Sequence, residues 1–261
     1  MSDIISERRG ETAWLRLNRP ERRNAYDTAM AEDLTRAVIE STDASVIVIT
    51  GVERSFCAGG FLANMADPEV GQLRRMFEAS LRLYEEIRRS PRPVIAAVNG
   101  PAAGGGNELV VACDFAIAAR SATFGQTGPR VGSAPVLGGT NMLAMSVGEK
   151  RAKEVSMLCR RYSAEQALEL GWINAVVDDD ELEAEVDRWS EELLALSPRY
   201  LEIAKISSNV WWNQARDAYT SGLGMLIQAI GSDDMVEGGR AFAEKRPPRF
   251  PRPAGAQGAA A

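Results

Sequence analysis

The residue inventory limits the available chemistry. The 261-residue chain contains no histidine, which removes Ser–His and Cys–His nucleophilic machinery and every imidazole metal site. Its three cysteines, Cys57, Cys113 and Cys159, are widely separated and odd in number, so they read as buried thiols rather than a zinc site or a disulfide framework. Acid–base work is left to carboxylates, tyrosines, lysines, thiols or ordered water. Two glycine-rich stretches stand out, "SFCAGGF" (Ser55 to Phe61) and "NGPAAGGGNEL" (Asn99 to Leu109). Each glycine loses more backbone entropy on folding than any other residue, so a triple glycine implies close packing or a backbone that something must approach. Ahead of a helix N-terminus, such a turn aims N–H groups at negative charge, either a phosphate or a developing oxyanion.

The phosphate patterns fail. Gly100, Gly104, Gly105 and Gly106 are not followed by a glycine three positions on, nor by an acidic residue closing a strand about twenty later, as a dinucleotide turn requires. No Lys-Ser or Lys-Thr follows to make a nucleoside-triphosphate loop.

The elements that must position these turns follow from periodicity. "TAWLRLNRP" alternates Ala13, Leu15 and Leu17 with polar residues and predicts a strand closed by Asn18-Arg19-Pro20. Helical spacing runs through Met30, Leu34 and Val38, and again through Leu73, Phe77, Leu81 and Tyr84 until Pro91 stops it. "SVIVITG", "PVIAAV" and "FAIAA" predict strands covered on both faces, with a helix from about Asn107. Strands alternating with helices imply a largely parallel sheet to about residue 180. Ser163-Ala-Glu-Gln166 predicts a capping box opening a short helix, and from residue 180 "DELEAEVDRWSEELLAL" predicts an acidic helix and Arg199 to Lys245 two or three more. Each glycine stretch follows a predicted strand. In a parallel sheet both therefore lie on the carboxyl edge, where ligand crevices form. Two such turns can each donate one backbone N–H to a thioester or enolate oxygen, each donor worth roughly 3 kcal/mol in the transition state.

Bulk composition, 45% hydrophobic and 25% charged with a net charge of −6, is ordinary for a soluble globular protein and argues against a general nucleic-acid surface, while leaving room for a local basic pocket. No apolar run is long enough to span a bilayer, and "MSDIISERRG" has no apolar signal region, so a cytoplasmic protein is expected. The Pro- and Ala-rich tail has little to bury, and disorder is expected over residues 251–261.

With "LRLNRPERRNAY" before them and "FAEKRPPRF" after, the two glycine stretches resemble the crotonase (enoyl-CoA hydratase/isomerase) superfamily, in the right order over about residues 4–250. The resemblance implies an α/β fold: a crotonase-like spiral of ββα units over residues 1–198, then a C-terminal helical trimerisation region over 199–250, assembled as a homotrimer or homohexamer. It implies an acyl-CoA substrate, with CoA part of that substrate, no tightly bound cofactor and no metal. Position by position, it assigns the oxyanion-hole amides to Gly60 and Gly105, and the CoA phosphates and ribose to Arg22 and Arg23. It places Ala58 on the backbone stretch that bonds adenine, and Phe242 and Lys245 against the CoA of a neighbouring subunit. Glu108, two residues past the turn, matches the first of the two glutamates that hydratases of the family use.

The second glutamate, two residues after Phe-Gly-Gln, is replaced by Gly128. "FGQTGPRVGS" is closer to the branch containing 1,4-dihydroxy-2-naphthoyl-CoA synthase and 2-ketocyclohexanecarboxyl-CoA hydrolase, and "LCRRYSAEQALELGWIN" points the same way. Some of those synthases hold bicarbonate near the residues matching Gln126 and Gly128. Yet that branch's catalytic aspartate and tyrosine fall at Pro135 and Ile230. Candidates for the vacant role are Tyr26, Tyr84, Gln126, Thr127, Ser133 or a bound anion. Phe61, in place of a common aspartate, is expected to make the pocket more apolar, and Trp211-Trp212 either cover the acyl site or divide between core and interface. The expected activity is that of an enoyl-CoA hydratase-type lyase acting through Glu108. The alternatives are a cyclase, a ring-opening ketoacyl-CoA hydrolase, a decarboxylase, an isomerase, or a non-catalytic acyl-CoA binder.

Overall fold

A computed structural model describes residues 2–61 and 65–250; the tail expected to be disordered lies outside them. The first strand is one the sequence conceals. β1 (Ile4–Arg9) buries only Ile4 and carries Glu7, Arg8 and Arg9, so it shows no apolar alternation. It is a strand because it pairs antiparallel with β2 (Thr12–Leu17), Ile4 opposite Leu17. α1 (Thr28–Glu40) starts at Asp27, whose carboxylate caps the Met30 N–H at 3.0 Å. β3 (Val46–Gly51), β4 (Val94–Val98) and β6 (Phe115–Ala119) are the three predicted apolar strands, separated by α2 (Val70–Arg89) and α3 (Gly105–Ala112). Between β4 and α3 lies the two-residue β5 (Ala102–Ala103), and after β6 comes β7 (Thr123–Gly125). The chain continues through α4 (Leu143–Val147), α5 (Glu149–Leu158), β8 (Tyr162–Ser163), α6 (Ala164–Glu169), β9 (Ala175–Val177) and α7 (Leu182–Leu194). It ends in α8 (Pro198–Ser208), α9 (Val210–Gln228) and α10 (Asp233–Ala243).

The main sheet has the order β1-β2-β3-β4-β6-β9, parallel everywhere except the β1–β2 pair. The successive pairs β4–β5 and β6–β7 each place one strand in this sheet and one in a second, β5-β7-β8, as the chain spirals. Alternation within the apolar strands feeds two cores. Ile47 and Ile49 face α1 and α2, while Val46, Val48 and Trp14 face Leu182 and Val186 of α7. With both faces covered, the strands read as unbroken apolar runs.

Ser163 forms the expected capping box with Gln166, in both directions. α3 begins at Gly105 rather than at Asn107, because Gly104 takes φ +54 and turns the chain straight into the helix. α8 is tied to the sheet by Lys205, whose ammonium pairs with Asp114 at 2.6 Å and donates to the Ile87 and Arg92 carbonyls. Trp212 is buried, with the Arg88 guanidinium 5.0 Å from its ring, while Trp211 is exposed, so the pair divides between core and surface. Among the described residues, no helix is long and apolar enough to cross a membrane.

Candidate active site

The two glycine stretches leave neighbouring strands, β3 and β4, and are bonded to each other. Cys57 N donates to the Pro101 carbonyl at 3.2 Å and Ala103 N to the Cys57 carbonyl at 3.0 Å. The first stretch is also fastened to Tyr26, which donates its N–H to Gly59 O and accepts from Phe61 N. These bonds bracket Gly60, whose own N–H has no acceptor among the described residues. Gly105 is the first residue of α3, so its N–H has no partner within the helix, and no side chain caps that end. The space around it is tight on the packed side. A Cβ on Gly105 would lie 2.2 Å from Tyr26 Oη, one on Gly106 2.0 Å from Cys57 O, and one on Gly59 2.8 Å from Gly105 N. The glycines therefore serve both purposes at once: they permit close packing, and among the described residues they leave two amides without acceptors.

Both amides border one cleft, which Gly60, Gly105 and Glu108 share with Gln126, Thr127 and Gly128. Met76 and Phe77 of α2 and Leu226 of α9 supply apolar wall. Ala58 also lines it and donates its N–H to the Arg23 carbonyl at 3.0 Å. Glu108 is 5% exposed and accepts the Gly139 N–H at 3.0 Å. Burial pushes its pKa up to about 7, against the pull of the Gly139 and Leu137 N–H groups. A carboxyl that titrates near neutrality can both take and return a proton. Gln126 is 1% exposed, and neither end of its amide has a protein partner. A Cβ on Gly139 would stand 2.4 Å from Gln126 Nε2. Gly139 thus holds the carboxylate with its N–H and admits the amide by having no side chain. This residue escaped sequence reasoning, although the pair in "VLGGTNML" was a visible signal.

Gly128 opens a 3₁₀ turn, and a Cβ there would lie 3.0 Å from Ala134 Cα, Pro135 Cδ and Ser133 O. The following loop therefore leaves no room for a side chain at residue 128. Burial raises the pKa of Tyr26 and Tyr84 above the usual phenol value, so neither ionises near neutrality. Burial likewise pushes the Cys57 and Cys113 thiols up to about 12, and all three cysteines are free and buried.

Several expected contributors lie elsewhere. Phe61 is not part of the cleft wall: its ring carries the Arg22 guanidinium 4.1 Å from its centroid, which corrects the expectation of a more apolar pocket. Arg22 and Arg23 are exposed beside the first glycine stretch. Phe242 and Lys245, at the end of α10, are exposed and do not reach this cleft. Neither tryptophan of the α9 pair lines it; Leu226 of the same helix does.

Known proteins share this fold. An enoyl-CoA hydratase from Bacillus anthracis is 31% identical, superposes with a TM-score of 0.78, and the match covers 95% of this chain and 99% of that one. An enoyl-CoA hydratase from Mycobacterium avium subsp. paratuberculosis K-10 is 27% identical with a TM-score of 0.84, over 96% and 99%. At 22% identity, an enoyl-CoA hydratase from Bacillus halodurans shares the fold, with a TM-score of 0.86 over 92% and 100%. The family profile described as enoyl-CoA hydratase/isomerase matches residues 7–253. Spiral, paired glycine turns and near-complete sequence match agree: this chain belongs to the enoyl-CoA hydratase/isomerase family, within the crotonase superfamily.

Proposed function

We propose that this protein adds water to, or removes it from, the α,β-carbons of an acyl-CoA thioester, with one carboxylate doing the work of two. The carrying observation is a buried carboxyl of pKa about 7 in the same cleft as two backbone N–H groups without acceptors among the described residues. The thioester oxygen accepts from Gly60 and Gly105, and the helix dipole behind Gly105 adds positive potential. Ionised Glu108 takes a proton from water, and the hydroxide bonds to Cβ. The double-bond electrons move onto the thioester as an enolate. Glu108 then returns its proton to Cα as the carbonyl re-forms; dehydration is the reverse. Gln126, its amide otherwise unpartnered, holds the water by donating from Nε2 and accepting at Oε1. Arg22, Arg23 and Ala58 take the CoA phosphates and adenine. Phe242 and Lys245 reach CoA from a neighbouring subunit of a trimer or hexamer.

The test is turnover of a panel of enoyl-CoA thioesters by the wild type and by Glu108→Gln. The variant should be slower by roughly 10²–10⁴-fold. An unchanged rate rules out the assignment of Glu108, and a wild type that binds but never turns over any thioester leaves a binding protein. A second reading, enolate chemistry of the synthase type, is favoured by Gln126 and Gly128 together. The fork of a free amide matches the O–H donor and C–O acceptor of bicarbonate. Turnover that collapses when bicarbonate is removed selects it; indifference to bicarbonate discards it.

A further inference from the structure

Tyr26 and Tyr84 take no part in the proton transfers above, yet both are buried and both hydroxyls end at the Gly105 turn. Counting protons fixes their direction. The Gly105 carbonyl can only accept, so Tyr84 spends its single proton there, at 2.8 Å. Tyr26, 2.7 Å from Tyr84 Oη, must therefore be the donor in that contact. Ser80, the neighbouring hydroxyl, donates to the Met76 carbonyl at 2.7 Å. Tyr26 thus shows the cleft lone pairs rather than a proton, which argues against it as the replacement acid.

Its contacts suggest another task. The Tyr26 main chain grips the first glycine stretch on both sides of Gly60, through Gly59 O and Phe61 N. Its hydroxyl stands where a Cβ of Gly105 would be, and Tyr84 Oη lies 3.3 Å from the same point. One residue therefore touches both stretches that supply the free amides, and Tyr84 of α2 anchors it. A phenylalanine at Tyr26 would fill nearly the same volume but would remove the oxygen set against Gly105 and its bond to Tyr84, leaving the Tyr84–Gly105 bond in place.

We propose that Tyr26, anchored by Tyr84, is the positioning residue that sets the spacing and orientation of the Gly60 and Gly105 N–H groups. This rests on the reading of those groups as the thioester-oxygen site. The experiment uses the full chain with Tyr26→Phe and Tyr84→Phe, crotonyl-CoA for kinetics, and cinnamoyl-CoA as a spectral probe. A polarised thioester carbonyl moves the absorption of the conjugated aryl group to longer wavelength. Both variants should lose about 10–100-fold in kcat with KM little changed, and bound cinnamoyl-CoA should move back toward its wavelength in water. A variant with a lowered melting temperature but the wild-type band and kcat shows mere packing and overturns the proposal. If Tyr84→Phe does not fold, Tyr26→Phe decides alone, since it keeps the Tyr84–Gly105 bond and removes only the oxygen against Gly105. A wild type that neither shifts cinnamoyl-CoA nor turns over crotonyl-CoA fails the functional reading itself, and this is seen before any variant is made.

Discussion

At Glu108 the decisive balance is between burial, which favours the neutral acid, and two backbone N–H groups, which favour the anion; burial wins and places the pKa at about 7. With no second carboxylate at Gly128, kcat/KM for hydration should rise along a single limb with a midpoint near pH 7, where two catalytic carboxyls would give a bell. The same shift links to stability. The folded pKa lies above the ordinary value of 4.5, so the folded protein binds the extra proton. This contribution is complete below about pH 4.5 and is lost as pH rises through 7, a change of roughly 3 kcal/mol. Glu108→Gln should therefore be more stable than the wild type at pH 8, with the gap closing below pH 5 in denaturant titrations. A gap that stays constant with pH would show that Glu108 is not buried as described.

At the scale of elements, the loop after β7 shows why a carboxylate cannot simply be placed at residue 128. Residues 133–135 pack at 3.0 Å from where a Cβ of Gly128 would be, and two of the three nearest atoms are main chain. Gly128→Glu should lower stability by roughly 1–3 kcal/mol through overpacking and should not raise turnover of an enoyl-CoA; a faster, equally stable variant would contradict the packing. Sequence was most informative where one element answers to one period. The apolar strands, α1, α2, the capping box and the acidic helix are visible that way. β1 was not, because Glu7, Arg8 and Arg9 mask a strand made only by its pairing. β5, β7 and β8 are two or three residues long, too short to show a period, and form only when the spiral brings them together. For the site, the glycine turns were visible from their place after predicted strands and Glu108 was singled out through the family resemblance; the fold brings Gly60, Gly105 and Glu108 to one cleft. The service Gly139 gives to both Glu108 and Gln126, and the turning of Phe61 toward Arg22, depend on contacts between distant segments.

At the scale of the molecule, the helical region and the sheet are joined by a charge pair between buried Lys205 and half-buried Asp114. Asp114 accepts the Val94 N–H at 2.8 Å and pairs with Lys205, whose side chain is 6% exposed. Lys205→Ala should cost roughly 2–4 kcal/mol by leaving a partly buried carboxylate without its cation. Combining it with Asp114→Asn should recover part of that loss in chemical denaturation, and strict additivity of the two losses would refute the coupling. Exposed Tyr200, Ile203 and Ile206 on α8, with Trp211 and Met225 on α9, leave apolar side chains on this region's surface.

The charged outer strand has a consequence for how copies of this chain meet. An unpaired strand at the margin of a sheet is a template for another backbone to zip onto, and a row of ionised side chains opposes that route to fibrils. At the opposite margin β9 offers three residues, too short a ledge to recruit a stranger. The sheet is guarded at both borders against growing from one molecule into the next.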